Sequence, residues 1–304
     1  IETHMLKPYK TRVSSTYIML QHTLQLLNDE YKNLHQLIKQ ADIYSSGNDF
    51  RALKFPVKFT ESMADSAQIE FKGYEYRIDT SDLTGGLWFK YDNSKPANWQ
   101  ITIFPTNIPS KNVSLPEAYL IPPQCTEVIE RLKLHGIQMQ KLNENINITV
   151  RRSMFSNVRW QSRSTEGRQK LSYELSDTVL LTSFPSGTIL VDMNQRTARV
   201  IAHLLEPASP DSYAAWGFFD AYLEQKEYSE SYVMETMARD MIEKNPALKT
   251  EFEAKKATDK AFAADTFAML NWFYSKTPYW DNRFNVYPIG RITDRETVKN
   301  LKHK

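Results

Sequence analysis

The sequence predicts an α+β fold with a long N-terminal helix, a central antiparallel β-rich region that contains a strand-helix-strand unit, and a helical C-terminal region. Near the start, apolar residues recur at alternating steps of four and three. In the middle, short β-type runs are separated by Ser, Asp, Gly, Asn and Pro. From Gln195 onward, amphipathic segments and helix caps dominate. We expect three segments: residues 1–47, 48–194 and 195–304.

The first helix follows Pro8, a residue that suits a helix start. One face of this helix carries the apolar positions Val13, Tyr17, Leu20, Leu24, Leu27, Tyr31, Leu34 and Ile38. A stripe of this kind is buried against an apolar surface in most folded proteins. The segment that follows is polar, so we expect the stripe to face a domain N-terminal to this chain.

The pattern of the central region predicts a small antiparallel sheet or sandwich. Its clearest runs are Phe55 to Phe59, Ile69 to Ile78 and Trp99 to Phe104, with Gly85-Gly86 as a turn. Pro122-Pro123 then introduces a short helix that Gly136 closes, after which a strand pattern resumes. This succession predicts the strand-helix-strand unit.

The C-terminal region begins with an apolar helix face at Ala198, Ile201, Leu204 and Leu205 that stops before Pro207. Asn245-Pro246 combines a capping residue with proline in the first turn, which predicts another helix start. The region is therefore expected to be helical.

Composition excludes several classes of protein. The chain has 304 residues, of which 41% are hydrophobic and 12% aromatic, and this favours a folded protein. Its net charge is +2 and its basic residues are interspersed with acidic ones, so we expect no nucleic-acid partner. No apolar run approaches the roughly 18 to 20 residues of a transmembrane helix. The single cysteine, Cys125, excludes an internal disulfide framework and is expected to be a buried thiol.

One pair of residues matches a metal-binding spacing. His203-Leu-Leu-Glu206 has the His-x-x-Glu spacing of a two-ligand zinc site. Such a site needs a third protein ligand and an open position for water. Ordinary packing and capping at a helix end explain both residues and are the favoured interpretation. The other histidines, at positions 4, 22, 35, 135 and 303, form no ligand cluster in the sequence.

Two aromatic clusters could stack on a ligand or pack in the core. They are Trp216-Gly-Phe-Phe219 and Trp272-Phe-Tyr274 through Tyr279-Trp280. Their apolar neighbours and helical spacing favour core packing.

Several segments together resemble the C-terminal region of large bacterial zinc carboxypeptidases related to carboxypeptidase A. The opening Ile1-Glu2-Thr3-His4-Met5-Leu6-Lys7 is similar to the strand end that carries that family's catalytic glutamate. The similar blocks farther along are Pro116 to Pro122, Val128 to Gly136, Leu204-Leu-Glu-Pro207 and Trp216-Gly-Phe-Phe-Asp220.

The resemblance implies release of C-terminal residues from peptides or proteins by a zinc-activated water, with Glu2 as general base. Residues 1–47 would then be the last strand end and helix of a peptidase domain, followed by a β-rich accessory domain at 48–194 and the helical region at 195–304. The zinc ligands and the arginine that binds the substrate carboxylate would lie upstream of Ile1, so we expect this chain to be inactive alone. The resemblance to this family also favours a periplasmic or secreted location for the protein.

Two alternatives stay open at this point. The chain could be a non-catalytic interaction module, or an accessory module that gates access of substrates to the peptidase cleft. A free-standing metalloenzyme that uses His203 and Glu206 ranks below both.

Overall fold

The computed structural model describes residues 1–3, 5 and 7–302. His4 and Leu6 of the opening motif, and His303 near the end, lie outside the described residues. Helices and antiparallel sheets are both present behind a long N-terminal helix, which confirms the α+β prediction. Contacts divide the chain into two compact units, one of residues 1–53 with 115–304 and one of residues 54–114. The three segments expected from the sequence stay a prediction.

The helices of the described chain are numbered α1 to α9 in chain order. They are α1 Tyr9–Ser46, α2 Asn48–Ala52, α3 Thr126–Leu134, α4 Ala198–Leu205, α5 Ser231–Lys244, α6 Pro246–Thr258, α7 Lys260–Ala264, α8 Thr266–Tyr274 and α9 Arg295–Lys302. None of these described helices is both long enough and apolar enough to cross a bilayer.

The strands of the described chain are numbered β1 to β10. They are β1 Lys54–Glu61, β2 Ala67–Thr80, β3 Leu87–Ile103, β4 Asn107–Ser114, β5 Ala118–Ile121, β6 Gln140–Lys141, β7 Ile146–Trp160, β8 Leu171–Phe184, β9 Ile189–Asp192 and β10 Gly290–Ile292. The predicted strand-helix-strand unit corresponds to β5, α3 and β6.

Helix α1 spans 38 residues, which at 1.5 Å per residue is about 57 Å. Pro8 precedes it with a φ of −53°, an angle that suits the residue before a helix. Its last turn ends where the Gly47 N–H donates to the carbonyl of Tyr44 at 3.0 Å. Of the described residues in α1, Ser45 is the buried one. Among the described residues, the apolar stripe of α1 is therefore largely exposed.

A six-stranded antiparallel sheet forms the centre of the first unit. Its strand order is β6-β9-β5-β10-β7-β8. β5 is buried along its whole length. β10, which is far away in sequence, pairs with β5 through Gly290 and Leu120 and meets β7 where Arg291 faces Arg151. The C-terminal region thus supplies an inner strand of the sheet.

The main hydrophobic core lies on this sheet. Its buried members are Ala118, Leu120, Leu142, Ile146, Val150, Phe184, Leu190, Ile292, Val298 and Leu301. Val298 and Leu301 come from α9, so the last helix packs on the sheet. Gly290 allows β10 to approach closely, because a Cβ at this position would lie 2.8 Å from Cζ of Phe184 and 3.1 Å from Val150.

A second core joins the C-terminal helices. It contains Met234 and Ala238 of α5, Leu248 of α6, and Phe273 and Tyr274 of α8. Asp259 and Asp265 cap α7 and α8, because each side chain accepts a backbone N–H of the following turn. The predicted helical character of this region is confirmed.

The second unit, residues 54–114, is a nested hairpin. β1 pairs with β4, and between them β2 pairs with β3. The turn at the far end contains Gly85, whose φ of +71° places it in the left-handed region that favours glycine. Each pair forms a two-stranded sheet.

An ion-pair cluster holds α9 to the end of β9. Asp192 accepts hydrogen bonds from Arg295 at 2.5 and 2.8 Å, and Lys302 also contacts it. Burial raises the pKa of the Asp192 carboxyl, but the hydrogen bonds from Arg295 and Lys302 outweigh it. The pKa of Asp192 therefore lies well below its usual range.

We expect this cluster to make the folded state sensitive to acid. A carboxyl whose pKa is depressed by folding stabilises the protein above its unfolded pKa of about 3.9, and this contribution is lost as the pH falls below that value. In urea unfolding, the stability gap between the native chain and Asp192→Asn should shrink by about 2 kcal/mol between pH 6 and pH 2. Asp82→Asn, at an exposed turn, is the control. A gap for Asp192→Asn that does not depend on pH would contradict the assignment.

Candidate functional site

Glu2, the predicted general base, lies in the segment before α1 with its side chain exposed. A general base acts only within hydrogen-bond reach of the proton that it takes up. Exposure at this position is shared by a general base and by any solvated carboxylate. The catalytic role of Glu2 therefore stays a prediction.

Glu206, half of the predicted metal pair, points into the interior. It follows the last residue of α4, and its backbone N–H closes the helix on the carbonyl of Ala202 at 3.0 Å. The side chain is buried, with 1% of its surface exposed. Tyr119 donates its hydroxyl to Oε1 at 2.6 Å, and Arg291 Nη1 donates to Oε2 at 3.3 Å. Both oxygens of the carboxylate are thus engaged.

Arg291 extends this set of contacts into a network. Its Nη2 group donates to Ser153 Oγ at 2.7 Å and to Asp177 Oδ1 at 2.5 Å. We call Tyr119, Ser153, Asp177, Glu206 and Arg291 the Glu206–Arg291 cluster. Its members come from β5, β7, β8, the end of α4 and β10. The cluster joins strands that lie side by side in the sheet to a helix that follows it.

Burial governs the electrostatics of the cluster. It raises the pKa of Glu206, and the charge of Arg291 and the hydrogen bond from Tyr119 offset part of that effect. Burial also raises the pKa of Tyr119 well above 10, and the negative charge of Glu206 adds to the shift. Tyr119 therefore keeps its proton and remains a hydrogen-bond donor to the carboxylate.

The geometry does not fit a zinc ion at His203 and Glu206. His203 is half-buried on α4, and burial lowers its pKa. Glu206 would have to give up its contacts with Tyr119 or Arg291 to bind a metal. In the part of the chain that the structure describes, no group of three His, Cys, Asp or Glu side chains could hold a metal ion. We therefore derive no catalytic step through a metal held by this chain.

The rings of the two aromatic clusters differ in their burial and in their neighbours. Phe219 is buried and meets the Tyr287 ring edge-on at 5.2 Å, while Phe273 is buried in the C-terminal core. Phe218 and Trp216 are half-buried beneath cations, with Arg168 at 3.8 Å from one ring and Lys170 at 4.1 Å from the other. Core packing therefore describes the inner rings, and cation–π contacts cover the outer ones.

Cys125 is buried, as the sequence predicts. Burial raises the pKa of its thiol to about 11. A thiol in that state is a poor nucleophile at neutral pH.

A cleft of about 380 Å³ that the sequence does not reveal lies beside the second half of the Trp216 to Asp220 block. Cys125, Phe218, Tyr222 and Phe284 line it, with charged side chains at its rim. Those charges are already paired, since Arg283 donates to Asp281 at 2.8 Å and Lys226 contacts Glu224. The cleft therefore offers a ligand both aromatic surface and polar, ion-paired side chains.

The apolar stripe of α1 is an extended exposed surface of the first unit. Its members at Val13, Tyr17, Leu20, Leu24, Leu27, Tyr31 and Ile38 are each at least 48% exposed. Large contiguous apolar patches of this kind mark interaction surfaces in folded proteins. The sequence predicts the stripe, and among the residues that the structure describes these seven side chains are exposed.

Comparison with known proteins finds similarity over part of the chain. It is 31% identical over 117 residues to proteins named carboxypeptidase 2 from the fungi Trichophyton tonsurans, Trichophyton equinum and Trichophyton rubrum. Part of this chain is related to carboxypeptidases. The match covers 38% of the chain and spans only 22% of the length of those relatives. No family model matches the chain, and no solved structure matches it.

The proteins matched carry the name of a peptidase. That name agrees with the resemblance to carboxypeptidases noted in the sequence. The zinc-dependent type and the bacterial subgroup of that resemblance are finer statements that the match does not reach.

We expect Glu206→Ala to destabilise the protein by about 3 kcal/mol, because removal of one partner leaves the buried Arg291 short of countercharge. Urea unfolding at pH 7 measures this loss. Glu127→Ala is the control, since Glu127 makes ion pairs with Arg131 and Arg168 while 52% exposed, and its removal should change stability by less than about 1 kcal/mol. Equal effects of the two substitutions would contradict a stabilising role for the cluster.

Proposed function

We propose that this chain is the C-terminal portion of a zinc-dependent metallocarboxypeptidase related to carboxypeptidase A. The observation that carries the proposal is the 31% identity to the Trichophyton carboxypeptidases. The resemblance of the opening residues and of the Trp216 to Asp220 block to large bacterial enzymes supports the finer assignment. The substrates would be the C-termini of peptides or proteins, in the periplasm or outside the cell.

In this proposal Glu2 is the general base. Its carboxylate accepts a proton from the water that attacks the scissile carbonyl, and then passes a proton to the leaving amine. Zinc, held by residues that precede Ile1 in the whole protein, would polarise that carbonyl when bound. This chain alone would then be inactive.

The exposed stripe of α1 supports the same proposal. A helix of about 57 Å with an apolar stripe needs an apolar surface to cover it. The peptidase domain of the whole protein would supply that surface, with α1 as its last helix. Glu2, a few residues before the helix, would then lie at the edge of the same domain.

Substitution of Glu2 in the whole protein tests the proposal. Glu2→Gln should lower kcat by about 10²- to 10⁴-fold, with KM and zinc content close to those of the native enzyme, because the amide cannot accept the proton. Glu30→Gln is the matched control, since Glu30 is an exposed glutamate on α1. Native activity in Glu2→Gln would contradict the catalytic role. A whole protein without bound zinc would contradict the metalloenzyme assignment.

A second candidate function is substrate gating or interaction by the residues that follow α1. The observation in its favour is that residues 54–114 form a compact unit of their own. If these residues limit access to the cleft, deletion of residues 48–304 from the whole protein should change its preference for peptide length. Zinc content should stay near one per chain, which shows that the peptidase domain still folds. An unchanged length preference in a zinc-loaded deletion variant would contradict gating.

A further inference from the structure

The inner pair of the nested hairpin is a long two-stranded ribbon. β2 and β3 pair in antiparallel register from Ala67 with Ile103 to Thr80 with Leu87. Within the described chain neither strand pairs with a third. An isolated two-stranded hairpin is only marginally stable in water, and stable ribbons have further packing on one face. We therefore expect the ribbon to need a further layer packed on one of its faces to be stable.

One face of the ribbon is apolar along its length. Its cross-strand pairs include Ile69 with Ile101, Phe71 with Trp99, Tyr76 with Tyr91 and Ile78 with Phe89. We call these eight residues the aromatic face.

A shift of register between Tyr74 and Glu75 interrupts the ribbon but not this face. The Tyr76 ring lies 5.5 Å from the Trp99 ring across the shift, and 5.6 Å from the Tyr91 ring. Trp99 is held in place because its Nε1 donates to the carbonyl of Tyr74 at 3.2 Å. Gly73 leaves room for the indole, since a Cβ there would lie 3.2 Å from its Cδ1. The two apolar runs thus form one surface.

The alternate pairs of the ribbon are mostly polar. The polar ones include Gln68 with Thr102, Glu70 with Gln100 and Arg77 with Lys90, whereas Tyr74 faces Pro96 and Trp88 faces Asp79. Asp79 contacts Arg77 at 3.3 Å and Lys90 at 2.7 Å, which separates those two like charges. The charges of the ribbon are thus concentrated away from the aromatic face, and none of the eight residues of that face is charged.

The aromatic face is exposed on a scale that suits a protein interface. Its five aromatic side chains are between 38% and 63% exposed. At about 200 Å² per aromatic side chain, they present about 500 Å², to which the isoleucines add. Two such faces together exceed about 1,000 Å², the size at which specific interfaces begin.

We propose that the aromatic face binds the same face of a second copy of this chain, so that two ribbons pack on each other in a dimer with two-fold symmetry. A two-fold axis brings identical patches together, and a face without charge meets its own copy without like-charge repulsion. Each ribbon then supplies the layer that the other lacks. The proposal is independent of the carboxypeptidase assignment, because it depends on the ribbon alone.

The mass of the 304-residue chain in solution tests the dimer. Light scattering after size-exclusion chromatography at about 1 to 100 µM should give twice the 35.4 kDa of one chain. Hydrogen exchange of the native chain then locates the interface. Protection that increases with concentration should fall within residues 67–103. A monomer at about 100 µM, or protection confined to residues 9–46, would overturn the proposal.

Matched variants separate the two faces of the ribbon. Phe71→Lys with Phe89→Lys should weaken dimerisation at least tenfold, whereas Gln68→Lys with Gln100→Lys adds the same charge to the polar face and should leave the dimer intact. Leu24→Lys with Leu27→Lys on α1 should also leave it intact. A dimer that is lost in the α1 variant and retained in the aromatic-face variant would assign association to α1 and overturn the proposal.

Discussion

The buried ion pair between Glu206 and Arg291 is the interaction that the first unit depends on most directly. Arg291 lies on β10, close to the end of the chain, and Glu206 lies at the end of α4. Their contact, together with the hydrogen bonds to Tyr119, Ser153 and Asp177, connects four strands of the sheet to α4. A charge buried in this way stabilises only when its partners are all in place, since each unpaired member would carry a large desolvation cost. The cluster therefore specifies one arrangement of the C-terminal region on the sheet.

The position of β10 also specifies how the backbone of the C-terminal region lies on the sheet. A strand that enters between β5 and β7 must satisfy hydrogen bonds on both sides, and it needs Gly290 to pass Phe184 and Val150. α9 then follows directly and covers the core with Val298 and Leu301, while Asp192 contacts both its first residue, Arg295, and its last, Lys302. The last part of the chain is thus required for the central sheet, although its own sequence is mostly helical.

Two large apolar surfaces lie exposed on the described chain. The stripe of α1 and the aromatic face of the ribbon both leave large side chains exposed, and each belongs to a different compact unit. The similarity to carboxypeptidases covers only part of the chain, and the described residues hold no group of three metal-ligating side chains. Association is the role proposed for both surfaces, with a peptidase domain for the stripe of α1 and with a second copy for the aromatic face.

Local patterns in the sequence determined the fold class, the long helix after Pro8, the strand-helix-strand unit and the burial of Cys125, because periodicity, proline and glycine act over a few residues. The sequence also carried the resemblance to carboxypeptidases and named Glu2, whose catalytic role stays a proposal. Only the tertiary structure decided that Glu206 pairs with Arg291, that a three-residue strand completes the sheet, and that the ribbon keeps one apolar face across its register shift. Each of these depends on contacts between residues far apart in sequence. His203-x-x-Glu206 illustrates the limit, because the spacing of the two residues is the same whether the carboxylate faces a metal or a buried arginine.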